Sequence, residues 1–201
     1  MLDTDRLRLA KGVAMGYWSP INSKEDYNLF LEADMRRLNI QKWSAFSRFD
    51  KVVLAWQRLL RKAEYYHNCK TSLSWRPYNL YLRRKLQQSS IKLGFTIPLN
   101  VFGPGLQVVH WGTIIVNGNA KVGANCTLHN CTHIAQKTWY SDKAPKIGDN
   151  VTILAGARIL GDIELADGII VGANAVVIES FTEPGIIIAG VPAKKIGGDR
   201  D

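Results

Sequence analysis

The second half of the chain is governed by a six-residue repeat. An aliphatic residue returns at every sixth position from Val116 to Ile134, and again from Ile147 to Val177 after a polar segment, 135–146. The complete set is Val116, Val122, Leu128, Ile134, Ile147, Ile153, Ile159, Leu165, Val171 and Val177. Amphipathic helices repeat every 3.6 residues and strands every two, so neither explains this spacing. Hexapeptide repeats are typical of the parallel β-helix, in which three repeats form a coil of about 18 residues and the aliphatic side chains stack inside.

Three segments within and after the repeat carry a resemblance to a known family. They are Ala144–Gly148, Leu154–Gly161 and Ala189–Ile196, and the last of them contains the sequence Gly-Val-Pro-Ala-Lys. On these segments the chain resembles the left-handed β-helix acyltransferases, and within them the serine acetyltransferase-like group. The Gly-Val-Pro-Ala-Lys ending resembles a motif of the acetyl-coenzyme A users of this fold.

The resemblance divides the chain into two regions. It covers roughly Thr96 to Gly197, about half of the chain. It implies a mainly β protein, in which residues 95–201 form a left-handed parallel β-helix acyltransferase domain with a C-terminal tail. Residues 1–94 are predicted to form a small, basic α-helical region ahead of the β-helix.

Positive charge is concentrated in the first half of the chain. Residues 1–96 contain 18 Lys and Arg against 8 Asp and Glu, a balance of +10, whereas residues 97–201 contain 8 against 9, a balance of −1. A basic region suggests an anionic partner such as a phosphate group, a membrane lipid or nucleic acid, although a solvated helical surface explains the charge equally well. Because no nucleic-acid-binding motif is present, we expect no nucleic-acid partner.

Composition and cysteine usage predict an ordinary cytoplasmic protein, either free or at the inner face of a membrane. The chain has no uninterrupted apolar run of about 18 residues, and its first eleven residues are charged and lack an apolar signal region. Cys69, Cys126 and Cys131 have no metal-ligand spacing, so we expect free thiols and no bound metal.

Three helices are predicted in the first region. The capping-box sequence that begins at Ser23 opens the first helix, and the second runs from about Ser47 to Tyr66 with Arg61 on or beside its polar face. The third begins near Pro77 and ends at Gly94. Aromatic and basic side chains of this region could contact a membrane surface or pack against the helices; they include Trp43, Trp56, Trp75, Arg83, Arg84 and Lys85.

His110 is the candidate general base. Before Val116 the sixfold frame runs through Ile97, Gly103 and Val109, and one extra residue then shifts it. His110 follows Val109, so it should point outward where the repeat is broken. The resemblance places the catalytic histidine of the serine acetyltransferase pattern on His110, and histidine is the natural base near neutral pH.

Several residues near the polar segment are candidates for binding the acceptor. His129 follows Leu128 near the end of the first block of repeats, and His133 directly precedes Ile134. Flat aromatic faces at Trp111, Trp139 and Tyr140 suit sugar rings. Five positions depart from the serine acetyltransferase pattern. Val109 and Phe95 replace acidic residues, Ala144 replaces a second histidine, and Ile134-Ala135 replaces a glycine pair. The lost acidic groups and histidine make serine a poor acceptor and favour a sugar hydroxyl.

The resemblance also implies where acetyl-coenzyme A binds. Its pantetheine contacts map onto Ala155 and Ala173, which lie three hexapeptides apart, one full coil, and should therefore stack. Lys194 and Lys195 suit the phosphates of the ligand. Because the groove of this fold lies between neighbouring β-helices, the chain is expected to form a homotrimer.

The leading hypothesis is an acetyl-coenzyme A-dependent O-acetyltransferase that modifies a sugar or glycan in capsule or lipopolysaccharide biosynthesis. The alternatives are a serine O-acetyltransferase, an amino-sugar N-acetyltransferase, and a non-catalytic β-helix scaffold. Metal chemistry of the carbonic anhydrase type also occurs on this fold and would need three converging histidines; the coenzyme A motif argues against it.

Overall fold

The computed structural model describes residues 19–41, 43–44, 51–138 and 142–198. Its helices are α1 (Lys24–Arg37), α2 (Val52–Cys69) and α3 (Arg76–Leu93), with one 3₁₀ turn at Leu73–Trp75 before α3. Ser23 caps α1, as predicted, by accepting a hydrogen bond from the Asp26 N–H at 3.0 Å. Gly94 ends α3 in the left-handed conformation, also as predicted. Helix α2 continues past the predicted end to Cys69, and part of its predicted start lies outside the described residues.

In the described part of the chain, fourteen short strands follow the helices. They are β1 (Phe95–Thr96), β2 (Gln107–Val108), β3 (Ile114–Val116), β4 (Lys121–Val122), β5 (Thr127–Leu128), β6 (Thr132–Ala135), β7 (Lys146–Ile147), β8 (Thr152–Ile153), β9 (Arg158–Leu160), β10 (Glu164–Leu165), β11 (Ile170–Val171), β12 (Val176–Val177), β13 (Ile186–Gly190) and β14 (Ala193–Gly198). They form a first sheet, β1-β3-β6-β9-β12, a second sheet, β10-β7-β4, and a third sheet, β14-β13-β11-β8-β5-β2. All neighbouring strands pair in parallel except β13 and β14. This is the parallel β-helix that the sequence repeat predicts, in the left-handed form that the family resemblance implies.

The sequence repeat sets the register between coils. Thr152 pairs with Ile170, and Arg158 pairs with Val176, so each partner lies three hexapeptides further along the chain. Thr127 pairs with Thr152 across a longer stretch of sequence, because the polar segment leaves the coil between them and returns to it. The aliphatic residues of the repeat are almost completely buried and stack along the inside of the prism.

Asparagines occupy several corners of the coils. Asn100, Asn125, Asn150 and Asn174 all have left-handed backbone angles, with φ between 57° and 61°. Asparagine tolerates this conformation better than other non-glycine residues. The Asn125 side-chain amide also donates to the Asn150 side-chain oxygen at 3.1 Å, so these corners are tied from one coil to the next.

In the first coil the predicted frame is wrong by one residue. Phe102 pairs with Val122, and Val108 pairs with Leu128, so these two residues point inward and Gly103 and Val109 do not. The side of the prism that joins Ile97 to Phe102 is one residue shorter than a hexapeptide. His110 therefore lies two residues after an inward position rather than one.

The helices pack on the first coil and share its hydrophobic core. Trp56 of α2 is buried, donates its indole N–H to the Ser90 hydroxyl at 2.8 Å, and meets the Phe95 ring edge to face at 4.9 Å. Helix α3 continues directly into the coil, because the Leu93 carbonyl accepts the Gly112 N–H at 2.9 Å. The division of the chain at residue 94 stays a prediction, since the buried cluster runs without interruption from α2 and α3 into the β-helix.

A buried charged cluster joins α1 and α2 to the first coil. Arg61, predicted on or beside a polar face, is 0% exposed and lies between Asp34 and Glu64, at N–O distances of 2.9 and 3.1 Å. Its guanidinium also donates to the carbonyls of Phe102 and Gly103. A fully buried guanidinium requires such partners, because removing it from water is otherwise too costly.

The two carboxylates of this cluster bind the same turn of the coil. Asp34 accepts the N–H groups of Gly105 and Leu106, each at 2.9 Å, and Glu64 accepts the N–H of Asn100 at 2.8 Å. The cluster thus pairs with backbone N–H and carbonyl groups of the turn between residues 100 and 106, which has no preceding coil to pair with.

Within the described residues, no helix is both long and apolar enough to cross a membrane.

Candidate active site

His110 lies on an exposed corner of the first coil. It follows β2 by two residues, and Trp111 beside it is 66% exposed. The corner is held by Gly112, whose φ of 132° is rare for residues with a side chain and whose N–H is bonded to Leu93. The imidazole is therefore presented to solvent from a fixed backbone.

His129 lies next to His110 on the following coil. It follows β5 directly, and its backbone N–H donates to the Ile153 carbonyl at 3.0 Å while its carbonyl accepts the Thr132 hydroxyl at 2.8 Å. The centroids of the two imidazoles are 6.2 Å apart, with an interplanar angle of 62°. The structure thus brings together two of the three histidines that the sequence singled out.

The His110–His129 pair has no carboxylate partner among the residues that the structure describes. Within residues 19–41, 43–44, 51–138 and 142–198, no Asp or Glu forms an ion pair with either imidazole. Burial, and secondarily the neighbouring His110, lower the pKa of His129 below its ordinary value. Both effects disfavour the charged imidazolium, so they favour a neutral His129 at this corner.

Replacing His110 should therefore change the titration of His129. In His110→Asn the repulsion from a charged neighbour is gone, so the pKa of His129 should rise toward its ordinary value. The change is measured by NMR titration of the imidazole C–H resonances, with His67→Asn as a control on an exposed site in α2. An unchanged His129 titration would show that the two imidazoles do not interact.

His133 lies apart from this pair on another face of the prism. It is part of β6 in the first sheet, where its register partners are Ile115 and Arg158, and it is half-buried. The structure leaves it as a candidate lining residue and does not join it to His110. Trp139 and Tyr140 lie outside the described residues.

Sequence reasoning missed a polar row on the strands that lead to the two histidines. The Arg37 guanidinium of α1 donates to the Thr127 hydroxyl at 2.8 Å, and that hydroxyl donates to the Gln107 side-chain oxygen at 3.2 Å. Gln107 precedes His110 by three residues, and Thr127 precedes His129 by two. The alternation of inward and outward residues in β2 and β5 indicates the outward direction of Gln107 and Thr127, but nothing in the sequence points to Arg37.

Ala155 and Ala173 stack as predicted on successive coils. Ile153 pairs with Val171 in the register, and the Ala155 carbonyl accepts the Asn174 N–H at 2.9 Å. Ala173 is exposed and Ala155 is half-buried, so the small side chains leave a shallow strip of accessible backbone. Such a strip can accommodate an extended, flexible chain.

The two candidate phosphate-binding lysines differ in their surroundings. Both are exposed on β14, but Lys195 forms an ion pair with Glu183 at 2.7 Å. Lys194 has no ion pair within the part of the chain that the structure describes, so its charge is available to an anion. No local sequence pattern indicates the pairing of Lys195 with Glu183, which lies 12 residues earlier in the chain. The described residues also contain no group of three His, Cys, Asp or Glu side chains that could hold a metal ion.

Comparison with known proteins agrees with this architecture. The family model described as bacterial transferase hexapeptide (six repeats) matches residues 144–179. The serine acetyltransferase of Mycobacterium tuberculosis is 32% identical over 101 residues, which cover 50% of this chain and 44% of that protein. The crystal structure of serine acetyltransferase from Brucella abortus strain S19 is 26% identical, with a TM-score of 0.68 over 88% of this chain and 71% of that one.

The Brucella abortus enzyme has also been solved in complex with coenzyme A. That structure is 25% identical and has a TM-score of 0.65, covering 98% of this chain and 72% of the solved chain. The fold, and the repeat over residues 144–179, define the class of protein that this chain resembles: the hexapeptide-repeat transferases. Within this class, the relatives and solved structures that it resembles are serine acetyltransferases. The chain spans less than half the length of the Mycobacterium tuberculosis relative.

Proposed function

We propose that this protein is an acetyl-coenzyme A-dependent O-acetyltransferase in which His110 is the general base. The observation that carries the proposal is the exposed His110 on an outer corner of a hexapeptide-repeat β-helix, with its ring centroid 6.2 Å from that of His129. The serine acetyltransferases among its relatives support the same reaction class. They favour serine as the acceptor over the sugar hydroxyl that the sequence analysis put first.

The reaction needs few groups from the protein. His110 accepts the proton of the acceptor hydroxyl as its oxygen attacks the thioester carbonyl carbon, and a tetrahedral oxyanion forms. When the oxyanion collapses, the carbon–sulfur bond breaks and the protonated His110 returns its proton to the departing coenzyme A thiolate. The products are an acetate ester and free coenzyme A, and the imidazole is restored for another cycle.

His129 supports this chemistry through electrostatics. A neutral imidazole beside His110 can hydrogen-bond the acceptor without introducing a second positive charge. Holding both substrates against the same corner accounts for much of the rate enhancement expected of such a site. Acetyl-coenzyme A would lie along the strip of Ala155 and Ala173, with its phosphates near Lys194.

A bulky residue at Ala173 should block coenzyme A. Because Ala173 is exposed at a corner, Ala173→Trp should leave the fold intact while filling the strip sterically, and coenzyme A affinity should fall by roughly 10-fold or more. Isothermal titration calorimetry with coenzyme A measures the change. Ile178→Trp, at another exposed position of the β-helix, is the matched control. Equal affinities in the two folded variants would place the ligand elsewhere.

We expect the active form to be a homotrimer. Hexapeptide-repeat enzymes place coenzyme A between neighbouring β-helices, and the Ala155–Ala173 strip of a single chain is too shallow to enclose it. Multi-angle light scattering of the purified protein, combined with an activity assay on the same fraction, measures this. A monomer that turns over acetyl-coenzyme A would contradict it.

A sugar hydroxyl is the second candidate acceptor, and one observation favours it. Serine carries an ammonium group that an acidic side chain would bind, but Val109 stands beside His110, and within the described residues neither His110 nor His129 has a carboxylate partner. An uncharged polyhydroxyl acceptor needs no such partner, and the exposed Trp111 offers a flat apolar face to a sugar ring. The proposed setting is the modification of a capsule or lipopolysaccharide glycan.

An acceptor screen tests the function directly. Release of free coenzyme A is followed with a thiol reagent while serine, amino sugars, neutral sugars and purified glycans are offered in turn. Turnover with serine alone would establish the acceptor that the relatives favour, and turnover with sugars alone would establish the second candidate. If none of these compounds causes release of coenzyme A, the acceptor belongs to another class. If the protein fails to bind acetyl-coenzyme A, the result supports a non-catalytic scaffold.

A further inference from the structure

Helix α3 has an unusual charge composition. Its 18 residues include five cations, Arg76, Arg83, Arg84, Lys85 and Lys92, and no acidic residue. All five are exposed, and none forms an ion pair within the portions of the chain described by the structure. Lys85 lies against the Tyr81 ring and hydroxyl instead of a carboxylate. The helix therefore presents uncompensated positive charge to solvent.

The same helix also exposes large apolar side chains. Its inner face is anchored by the buried Leu82 and Leu86, whereas Leu80, Tyr81 and Ile91 point away from the core. Just before the helix, the 3₁₀ turn adds Leu73 and Trp75 to the outer surface, and both Leu73 and Ile91 are 72% exposed. We call these five exposed apolar residues and the five cations of α3 the cationic face.

We propose that the cationic face docks on an anionic lipid bilayer. Exposed aliphatic and aromatic side chains enter the boundary between headgroups and acyl chains, while arginine and lysine side chains bind the phosphates of anionic lipids. A second copy of this chain is a poor occupant, because five cations would face five others without an acidic residue between them. Nucleic acid would pair with the charges but would leave Leu73, Leu80 and Ile91 without apolar contacts.

Docking through this face orients the candidate active site. The last residue of α3, Leu93, is hydrogen-bonded to Gly112, two residues after His110. The helix that rests on the bilayer is thus attached to the corner that carries the proposed base. An acceptor held at the membrane surface would meet this corner without crossing the length of the β-helix.

Vesicle binding of the purified full chain tests the proposal without any catalytic assay. Sedimentation is measured with vesicles of phosphatidylcholine alone and with equal parts phosphatidylcholine and phosphatidylglycerol, at low and at physiological salt. Wild-type protein should sediment with the anionic vesicles, and less so at higher salt. Arg83→Glu/Arg84→Glu should weaken this binding by roughly 30-fold or more, since each basic residue lost from an anionic membrane surface lowers the affinity by about fivefold. Leu80→Ser/Ile91→Ser should lower the fraction of protein that still sediments with anionic vesicles at physiological salt.

The matched control reverses two cations elsewhere in the helical region. Lys24→Glu/Lys51→Glu makes the same change in net charge at the starts of α1 and α2, where acidic residues are tolerated. It should retain binding close to the wild-type level. Equal losses in both double variants would show that only total charge matters and would overturn the proposal, as would a wild-type protein that ignores anionic vesicles.

Two further outcomes would assign the face to another occupant. If Arg83→Glu/Arg84→Glu changes the oligomeric state in light scattering while vesicle binding is unaffected, the face is a contact between subunits. If the charge reversal abolishes binding to a random RNA but not to vesicles, the face binds nucleic acid. Either result overturns lipid docking.

Discussion

His110→Ala should lower turnover by roughly 10²–10⁴-fold, the usual contribution of general-base catalysis. The side chain is exposed on a corner whose backbone is held by Gly112, so its removal leaves the packing of the coil unchanged. Coenzyme A affinity, measured by calorimetry, and the oligomeric state should therefore match the wild type. Initial rates of coenzyme A release, measured with the acceptor identified in the screen, give the change in turnover.

The comparison that decides this assignment places four histidine variants side by side. His129→Ala should reduce turnover less than His110→Ala, because His129 modulates the site and does not take the proton. His133→Ala tests the remaining candidate, and His67→Ala, on the exposed end of α2, is the control. If His110→Ala retains near-normal turnover while His129→Ala or His133→Ala abolishes it, the base has been assigned to the wrong histidine.

Arg61→Met should destabilise the protein by about 3–5 kcal/mol, the cost of breaking a buried ion pair by removing one partner. The substitution preserves much of the side-chain volume but leaves the carboxylates of Asp34 and Glu64 buried without their cation. The carbonyls of Phe102 and Gly103 also lose their donor. Urea unfolding followed by circular dichroism measures the free energy of unfolding.

Arg58→Met is the matched control on the same helix. Arg58 is half-buried and contacts the Met35 sulfur and the Trp43 ring, so this loss should stay within about 1 kcal/mol. Similar losses in the two variants would show that the buried cluster contributes no more than an ordinary helix-surface contact.

The loss caused by Arg61→Met should also depend on pH. Burial raises the pKa of Asp34 and of Glu64, and Arg61 opposes that rise in the wild type. In the variant both carboxyls have a higher pKa in the folded state than in the unfolded state. The folded state then binds protons more tightly, so the deficit should be smallest at acid pH and should grow as pH rises from about 5 to 8. A deficit independent of pH would show that the carboxylates are not left charged in the interior.

The sequence predicts the fold well because the fold is local. Each hexapeptide repeats the same inward residue, so Ile153, Ile159 and Leu165 can be assigned to the interior without reference to distant contacts. The caps at Ser23 and Gly94 are local for the same reason. The first coil is the exception, because its short side shifts the inward positions to Phe102 and Val108, and no repeat before it reveals the change.

Buried charge could not be read from local patterns. The spacing of apolar residues in α2 places Arg61 on or beside the polar face of the helix. Its partners Asp34 and Phe102 lie 27 and 41 residues away along the chain. The pairing of His110 with His129 is equally non-local, since it arises only when one coil is stacked on the next. The acceptor remains a proposal, because the side chains that select it are compatible with more than one hydroxyl compound.

The buried cluster of Arg61 attaches the helices to the first coil and so covers one end of the β-helix. A solenoid whose terminal coil is bare can stack on another copy without limit, as fibres do. Here the helices cover the first coil, and at the far end β14 turns back antiparallel on β13 with Lys194 and Lys195 on the outermost strand. A longer β-helix of this design would therefore gain coils in its middle. A whole coil of three hexapeptides could be duplicated there while the covered first coil and the returning strand β14 stay in place.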